Sequence, residues 1–323
     1  MISYSIINLS MNIQQLEYII AVDKYRHFLK ASEACYVTQA TLSGMIKKLE
    51  EELNVILFDR SKHPVVPTDV GKKIVAQAKS ALREINRIKE VVIEDSGEIK
   101  GVIKIGIIPS LAPYLLPLFI ADFTNTNKDI KVIINEMTTE KIKQKLKEGI
   151  IDVAILALPL EDKELIEDTL FFEEFFHYGE LNVNSDKKKK FILPKDINFN
   201  KLLLLEEGHC LRDQVLNICE LRVKDSKDLR IEYQSGSIET LKLMVDLNLG
   251  STILPELSLL TLDQKQKEKL SSFSAPYPVR EIGLVCYGNY VKKNLIKALK
   301  KCILDNTSDK VLTKKDICVL PIK

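Results

Sequence analysis

Val37-Thr38-Gln39-Ala40-Thr41-Leu42-Ser43-Gly44-Met45-Ile46-Lys47-Lys48-Leu49-Glu50 reads as one helix with two unlike faces. Thr38 is a good N-cap, and Leu42, Ile46 and Leu49 recur at i, i+4 and i+7, the spacing of an inward apolar stripe. The other face carries Thr41, Ser43, Gly44, Lys47 and Lys48. Short side chains allow close approach to a major groove, hydroxyls and amides read base edges, and lysines hold phosphates. Alone, a polar helix face is usually just solvated, so the flanking sequence has to decide.

Upstream, Leu16, Ile19, Ile20 and Phe28 supply the inner face and exit of a first helix, and Ala31 and Ala34 mark a short, tightly packed second one. Downstream, 55–60 and 65–67 read as a small hairpin around Ser61-Lys62-His63-Pro64, whose basic tip would serve as a wing against the DNA backbone. Helix, helix, recognition helix and wing in this order resemble the winged helix-turn-helix of LysR-type regulators from Met11 to Gly71. The resemblance includes Thr38-Gln39-x-Thr41-Leu42-Ser43, Lys48-Leu49-Glu50 and Phe58-x-Arg60; Ala40 and Val70 are mild departures. It implies contact with double-stranded promoter DNA through Thr38, Gln39, Thr41, Ser43, Lys47, Lys48, Arg60 and Lys62. The whole chain carries a net charge of only +2, so a nucleic-acid site has to be a local patch. From Met11 to Glu90, 13 lysines and arginines stand against 10 aspartates and glutamates, a net of +3 concentrated around this helix and wing. Salt-sensitive binding should follow.

Thr68 can cap a long helix running to about Val92. Ile74, Ala78, Ala81, Ile85, Ile88 and Val92 are spaced 4, 3, 4, 3, 4, a narrow heptad seam with charged residues elsewhere on the helix. It can pack on its own domain or on a partner helix, and the narrowness favours a partner. Dimerisation would place two recognition helices on one two-fold related site. The polar stretch at 94–98 ends this part.

Beyond it, strand and helix alternate: a strand from Gly101 to Ile108, a helix to about Asn125, a strand from Lys131 to Glu136, a helix from Glu140 to Gly149 and a strand from Asp152 to Leu158. A parallel sheet with crossovers is the economical fold. Phe171 to Ala275 supplies a second such unit, and Arg280 to Tyr287 reads as a return strand into the first. The organisation expected is therefore α+β overall: a winged helix-turn-helix at 11–67, a linker and dimerisation helix at 68–95, and an effector domain at 101–300. That domain should have two α/β lobes, about 101–171 with 279–300, and about 172–278. The crossing and recrossing resembles the solute-binding-protein-like effector domain of the LysR family, with a cleft between lobes. In such sheets ligands sit off the carboxyl ends of strands, here at Ser110 and Thr139, although either hydroxyl alone reads more simply as a helix cap.

The second lobe contains Glu206-Glu207-Gly208-His209-Cys210-Leu211-Arg212-Asp213-Gln214-Val215-Leu216-Asn217-Ile218-Cys219-Glu220. Leu211, Val215 and Ile218 predict a short helix opening just after Gly208. Cys210 would then sit at a helix N-terminus, where the helix dipole, with Arg212 and His209 nearby, should lower its pKa and populate the thiolate. Cys219 lies on the apolar stripe and should be packed and quiet. Nine residues of intact helix separate the two by about 13.5 Å, far beyond disulfide reach, so any bond between them requires the segment to unfold. Alone, two cysteines nine apart among six are weak grounds for more than buried core thiols.

Gly208-His209-Cys210-Leu211-Arg212-Asp213-Gln214, followed by Cys219, closely resembles the redox centre of peroxide-sensing members of the LysR family. That resemblance implies that Cys210 attacks hydrogen peroxide, that Cys219 resolves the product to a disulfide, and that His209, Arg212 and Asp213 surround the reactive thiol. It also implies that Ser110, where the family has a threonine, and Thr139 hold peroxide and water, with Arg280 a weaker candidate for the pocket's charge. Serine lacks the methyl that fixes the threonine rotamer. Asn248 replaces a common glycine, tolerably, because asparagine visits left-handed conformations. Cys35, Cys286, Cys302 and Cys318 read as bystanders, the Asp186 to Lys190 run as a solvated loop, and the lysine-rich tail beyond Lys300 as uninformative.

The function implied is an activator of oxidative-stress genes, not an enzyme, without metal or other cofactor. Its partners would be promoter DNA, hydrogen peroxide, RNA polymerase and a glutaredoxin or thioredoxin reductant, and it would assemble as a homodimer and then a dimer of dimers, a homotetramer. No apolar run approaches a membrane span and nothing resembles a cleavable signal peptide, so no membrane association and a cytoplasmic location are expected, where paired cysteines sense rather than staple. The first ten residues read as an early start or a frayed extension. The alternative is an ordinary LysR-type regulator with a small-molecule inducer in the cleft and structural cysteines. A thiol peroxidase is opposed by the DNA-binding module, and a solute-binding protein by the missing signal peptide.

Overall fold

In the computed structural model of the protein, which describes residues 11–181, 191–218, 236–288, 290–307 and 316–322, the chain forms two units, divided between Val92 and Ile93. The first is built on α1 (Ile13–Tyr25), α2 (Phe28–Ala34) and α3 (Gln39–Leu53). Asn12 and Gln15 make a capping box that starts α1, and Thr38 caps α3 by accepting from the Thr41 N–H at 3.2 Å. Leu42, Ile46 and Leu49 are fully buried against Ile19 and Val22.

The wing is smaller than expected. Only β1 (Phe58–Asp59) and β2 (Val66–Pro67) pair, because the Glu50 carboxylate takes the Leu57 N–H at 2.8 Å in place of a strand partner. Thr68 donates to the Ile56 carbonyl at 2.7 Å and accepts from the Gly71 N–H at 2.9 Å, opening α4 (Asp69–Asp95) as read. The heptad seam divides along that helix. Val75 and Ala78 are buried in the first unit's own core, and Ile74 and Ala81 pack against it. Ala78 is thus covered within its own unit. Ile88 and Val92, at 65% and 67% exposure, remain uncovered near the far end.

The second unit holds β3 (Gly101–Ile107), α5 (Ala112–Thr126), β4 (Ile130–Glu136), α6 (Thr139–Lys147) and β5 (Val153–Leu158), with β4, β3 and β5 parallel as expected. β5 is buried at every position, the pattern of a strand covered on both faces. The rest departs from a parallel sheet. β6 (Leu165–Tyr178) and β10 (Tyr277–Tyr287) are long antiparallel neighbours, and β10 also runs antiparallel to β5. Between them in sequence lie β7 (Phe191–Ile192), α7 (Cys210–Ile218), α8 (Ile238–Asp246), β8 (Thr252–Pro255), α9 (Gln264–Lys267) and β9 (Leu270–Phe273). Both β8 and β9 pair antiparallel with the end of β6. Among the described residues, one mixed nine-stranded sheet thus runs through both halves of the unit, since β6 and β10 belong to both. α10 (Lys293–Thr307) packs on α5, and the chain returns as β11 (Ile317–Val319), parallel to the start of β10. Asn248 is left-handed, at φ 60°, as its replacement of glycine predicted. Residues 1–10, the 186–190 loop and Cys219 lie outside the described residues.

Candidate functional site

Two sites follow from this architecture, one in each unit. On α3 the exposed face presents Gln39, Thr41, Gly44, Lys47 and Lys48, with the cap Thr38 also exposed, so the short polar surface read from the sequence is open. Two residues grouped with it have additional work. Arg60 donates to Ser43 at 3.0 Å, pairs with Glu50 at 2.9 Å and stacks 4.9 Å from the Phe28 ring centroid. It clamps the wing to α3. Lys62, on the wing tip, is exposed beside Asp59 at 3.8 Å, a surface pair of little energetic weight. Tyr36, in the turn before α3, was not singled out from the sequence; it is 96% exposed on a left-handed backbone. A large aromatic directly before the Val37 to Ser43 signature was the available signal.

In the second unit, Gly208 takes a left-handed φ of 89° and lets α7 begin at Cys210, as read. Cys210 is 5% exposed. Burial dominates and pushes its thiol above the ordinary range, whereas the sequence predicted a lowered value. Three groups oppose burial: the Thr139 hydroxyl at the start of α6, the Arg280 guanidinium and the Leu211 N–H; Asp213 adds to the upward push. The lowering charge comes from Arg280, on β10, and not from the chain neighbours. The Arg212 side chain donates instead to the Leu205 carbonyl at 2.8 Å. His209 is buried with Nε2 3.5 Å from Glu206. Desolvation, which for a buried group outweighs a helix terminus, reverses the direction expected from the helix dipole.

Arg280 is fully buried on β10, opposite Glu173 on β6 in the antiparallel register. Its Nε donates to Glu173 at 2.7 Å and its terminal nitrogens donate to the Ser110 hydroxyl at 2.9 Å and carbonyl at 3.3 Å. Glu173 is completed by the Leu257 N–H at 2.7 Å. A buried ion pair needs such extra bonds to offset its desolvation. Ser110 therefore has its rotamer held by Arg280 despite the missing methyl. Close by, Tyr114 on α5 donates to Glu239 on α8 at 2.6 Å, and Lys242 joins Glu239 at 2.9 Å. The Thr139 hydroxyl lies near enough to Cys210 to favour its thiolate but falls outside hydrogen-bond geometry; it is buried without a partner among the described residues.

The structure thus brings Ser110, Thr139, Cys210 and Arg280 together from the β3–α5 turn, α6, α7 and β10. Glu173 was not singled out from the sequence, although two adjacent carboxylates in an aromatic strand, Phe171 to Phe176, were a visible signal. Cys286 and Cys302 are pushed up to about 12 and about 11, chiefly by burial, and Cys35 is raised for the same reason. Among the described residues no cluster of histidine, cysteine and carboxylate side chains could hold a metal ion, and no helix is long and apolar enough to cross a membrane.

A winged helix-turn-helix followed by a long helix and an α/β unit with a buried, electrostatically held thiol defines a helix-turn-helix regulator with an effector domain. Residues 13–72 match the bacterial regulatory helix-turn-helix protein model of the lysR family, and residues 96–308 match the LysR substrate binding domain. The chain belongs to the LysR family, in its OxyR group. It is 35% identical to the DNA-binding transcriptional dual regulator OxyR of Escherichia coli K12, over 94% of this chain and 99% of that one. It is 36% identical to the hydrogen peroxide-inducible genes activator of Haemophilus influenzae, over 85% and 90%. The structure of a full-length OxyR variant from Pseudomonas aeruginosa superposes with a TM-score of 0.70 at 32% identity, covering 91% of this chain and 98% of that one.

Proposed function

We propose that the protein is a DNA-binding transcriptional activator of oxidative-stress genes that senses hydrogen peroxide through a reversible Cys210–Cys219 disulfide. The observation that carries the reading is the Thr139 hydroxyl, buried without a hydrogen-bond partner among the described residues and acting on a thiol that Arg280 also faces. A buried hydroxyl in that state is a ready partner for a small polar molecule. The Cys210 thiolate attacks one peroxide oxygen, the O–O bond breaks, and the departing hydroxide takes a proton to leave as water. Sulfur loses two electrons and becomes a sulfenic acid. The Cys219 thiol then attacks that sulfur, a second water leaves, and a disulfide remains. Reset needs two electrons from a dithiol such as a glutaredoxin or thioredoxin.

His209, Arg212 and Asp213 frame the thiol, Ser110 and Thr139 place peroxide and water, and Arg280 stabilises charge. Nine residues of intact helix would hold two thiols about 13.5 Å apart, so formation of the disulfide requires the segment after Cys210 to rearrange. Dimers joined through Ile85 and Ile88 on α4, with Ile74 and Ala81 as flanking contacts, would present two α3 helices to promoter DNA. Two such dimers would form the tetramer that oxidation re-orients before RNA polymerase, in the cytoplasm. The inducer-binding alternative predicts instead that Cys210→Ser leaves the response to inducer intact.

The test is to reduce the protein, add about one equivalent of hydrogen peroxide, quench with an alkylator and map the thiols by mass spectrometry. A Cys210–Cys219 disulfide formed within seconds, and absent in Cys210→Ser, is expected. Both thiols remaining alkylatable would sink the switch and leave a LysR-family regulator whose cleft should be screened for a metabolite.

A further inference from the structure

The C-terminal segment grips the thiol-bearing helix. β11 extends the sheet alongside the start of β10, pairing Ile317, Cys318 and Val319 with Tyr277, Pro278 and Val279. Backbone bonds from Tyr277 N–H to Asp316 and from Leu320 N–H to Val279, both 2.9 Å, hold it there. Val279 directly precedes Arg280, the cation facing Cys210. The chain then crosses to α7, where the side chains of Gln214 and Asn217 donate to the carbonyls of Leu320 at 3.4 Å and Pro321 at 3.2 Å. Gln214 and Asn217 follow Cys210 at i+4 and i+7, so the three share one helix face. Leu320 is itself buried in the core that contains Cys210 and Leu211, and Ile322 packs against that core.

Gln214 is the informative residue. Its side chain is fully buried, its Oε1 has no partner among the described residues, and its amide nitrogen reaches the tail carbonyl. Burying an amide costs free energy unless it is hydrogen-bonded, so the packed position of this helix face depends on the tail being present.

We propose that residues 316–322 are a latch that stabilises α7 in its thiol-burying form and releases when that helix is rearranged. The proposal rests on the redox reading only for its consequence. A contact made in one of two states shifts the equilibrium toward that state, and leaving the state weakens the contact reciprocally. The tail therefore tunes how readily Cys210 is oxidised, and oxidation frees the tail.

The experiment compares wild type with Leu320→Asp, which removes the buried anchor, and with the milder Leu320→Ala, which keeps the fold if the aspartate does not. In the full-length protein, reduced with dithiothreitol and then freed of it under argon, amide exchange across 210–218 and iodoacetamide alkylation of Cys210 should both rise about tenfold, a change of about 1.4 kcal/mol in local opening, with exchange in β3 and β5 unchanged. In a glutathione titration the same variants should need a correspondingly more reducing mixture, and peroxide treatment of wild type should speed exchange at 317–320. Unchanged α7 exchange and alkylation in the folded variants overturn the latch whether or not a disulfide forms. Faster exchange with no disulfide upholds the latch and overturns the redox reading alone.

Discussion

At Cys210, burial and electrostatics pull the thiol in opposite directions, and burial wins. A thiol raised above its ordinary value of 9.0 is mostly protonated at neutral pH, so its thiolate fraction, and with it the rate of peroxide oxidation, should climb about tenfold per pH unit from 6 to 9 without a plateau. Stopped-flow oxidation against pH checks this, and a plateau near pH 7 would refute it. Thr139→Val keeps the shape and removes the hydroxyl that favours the thiolate; it should slow oxidation at pH 7 by about an order of magnitude while leaving the melting temperature nearly unchanged. His177 on β6 makes a separate prediction. It is fully buried, neither ring nitrogen has a hydrogen-bond partner among the described residues, and burial holds its pKa down to about 4. The folded protein thus resists a proton that the unfolded chain accepts below about 6.5. Its contribution is present above that value and is lost as pH falls toward 4, by at most about 3 kcal/mol. Urea unfolding of His177→Leu should show a shallower loss of stability over that window than wild type; parallel curves would contradict it.

Among the elements, α3 and its wing depend on a few contacts that sequence patterns only partly reveal. The capping hydroxyl, the apolar stripe and the lysines of α3 were legible because each depends on spacing within one helix. Lys47→Ala should weaken DNA binding similarly across sequences and reduce the slope of log affinity against log salt by about 1, measured by fluorescence anisotropy. Gly71 was not legible as a requirement. A Cβ there would lie 2.0 Å from the Leu57 carbonyl oxygen, which is backbone and has little room to yield. Gly71→Ala should cost the first unit about 1–3 kcal/mol in thermal unfolding. Arg60 shows the same limit in reverse, since its type and position suggested DNA contact but its partners within the unit are Ser43, Glu50 and Phe28.

Over the whole molecule, α4 joins the DNA-facing unit to the thiol-bearing unit, and its far end exposes Ile88, Val91 and Val92. Ile88→Asp with Val92→Asp should turn the proposed dimer into a monomer in analytical ultracentrifugation and weaken binding to a two-fold DNA site by orders of magnitude; an unchanged oligomeric state would overturn the α4 interface. Helices α3, α4 and α7, strands β3, β4 and β5, and the family signatures around Thr38 and Cys210 were determined by the sequence alone, because periodicity, caps and Gly208 act over one or two turns. Tertiary structure decided what depends on residues far apart in the chain. It split the α4 seam by burying Ala78, and it turned the second half of the sheet antiparallel through β6 and β10. It also set Arg280 of one strand against Glu173 of another beside Ser110, and laid the tail on α7. The direction of the Cys210 shift belongs to that second group: a helix N-terminus can be read locally, but desolvation is the sum of everything the fold places around the sulfur.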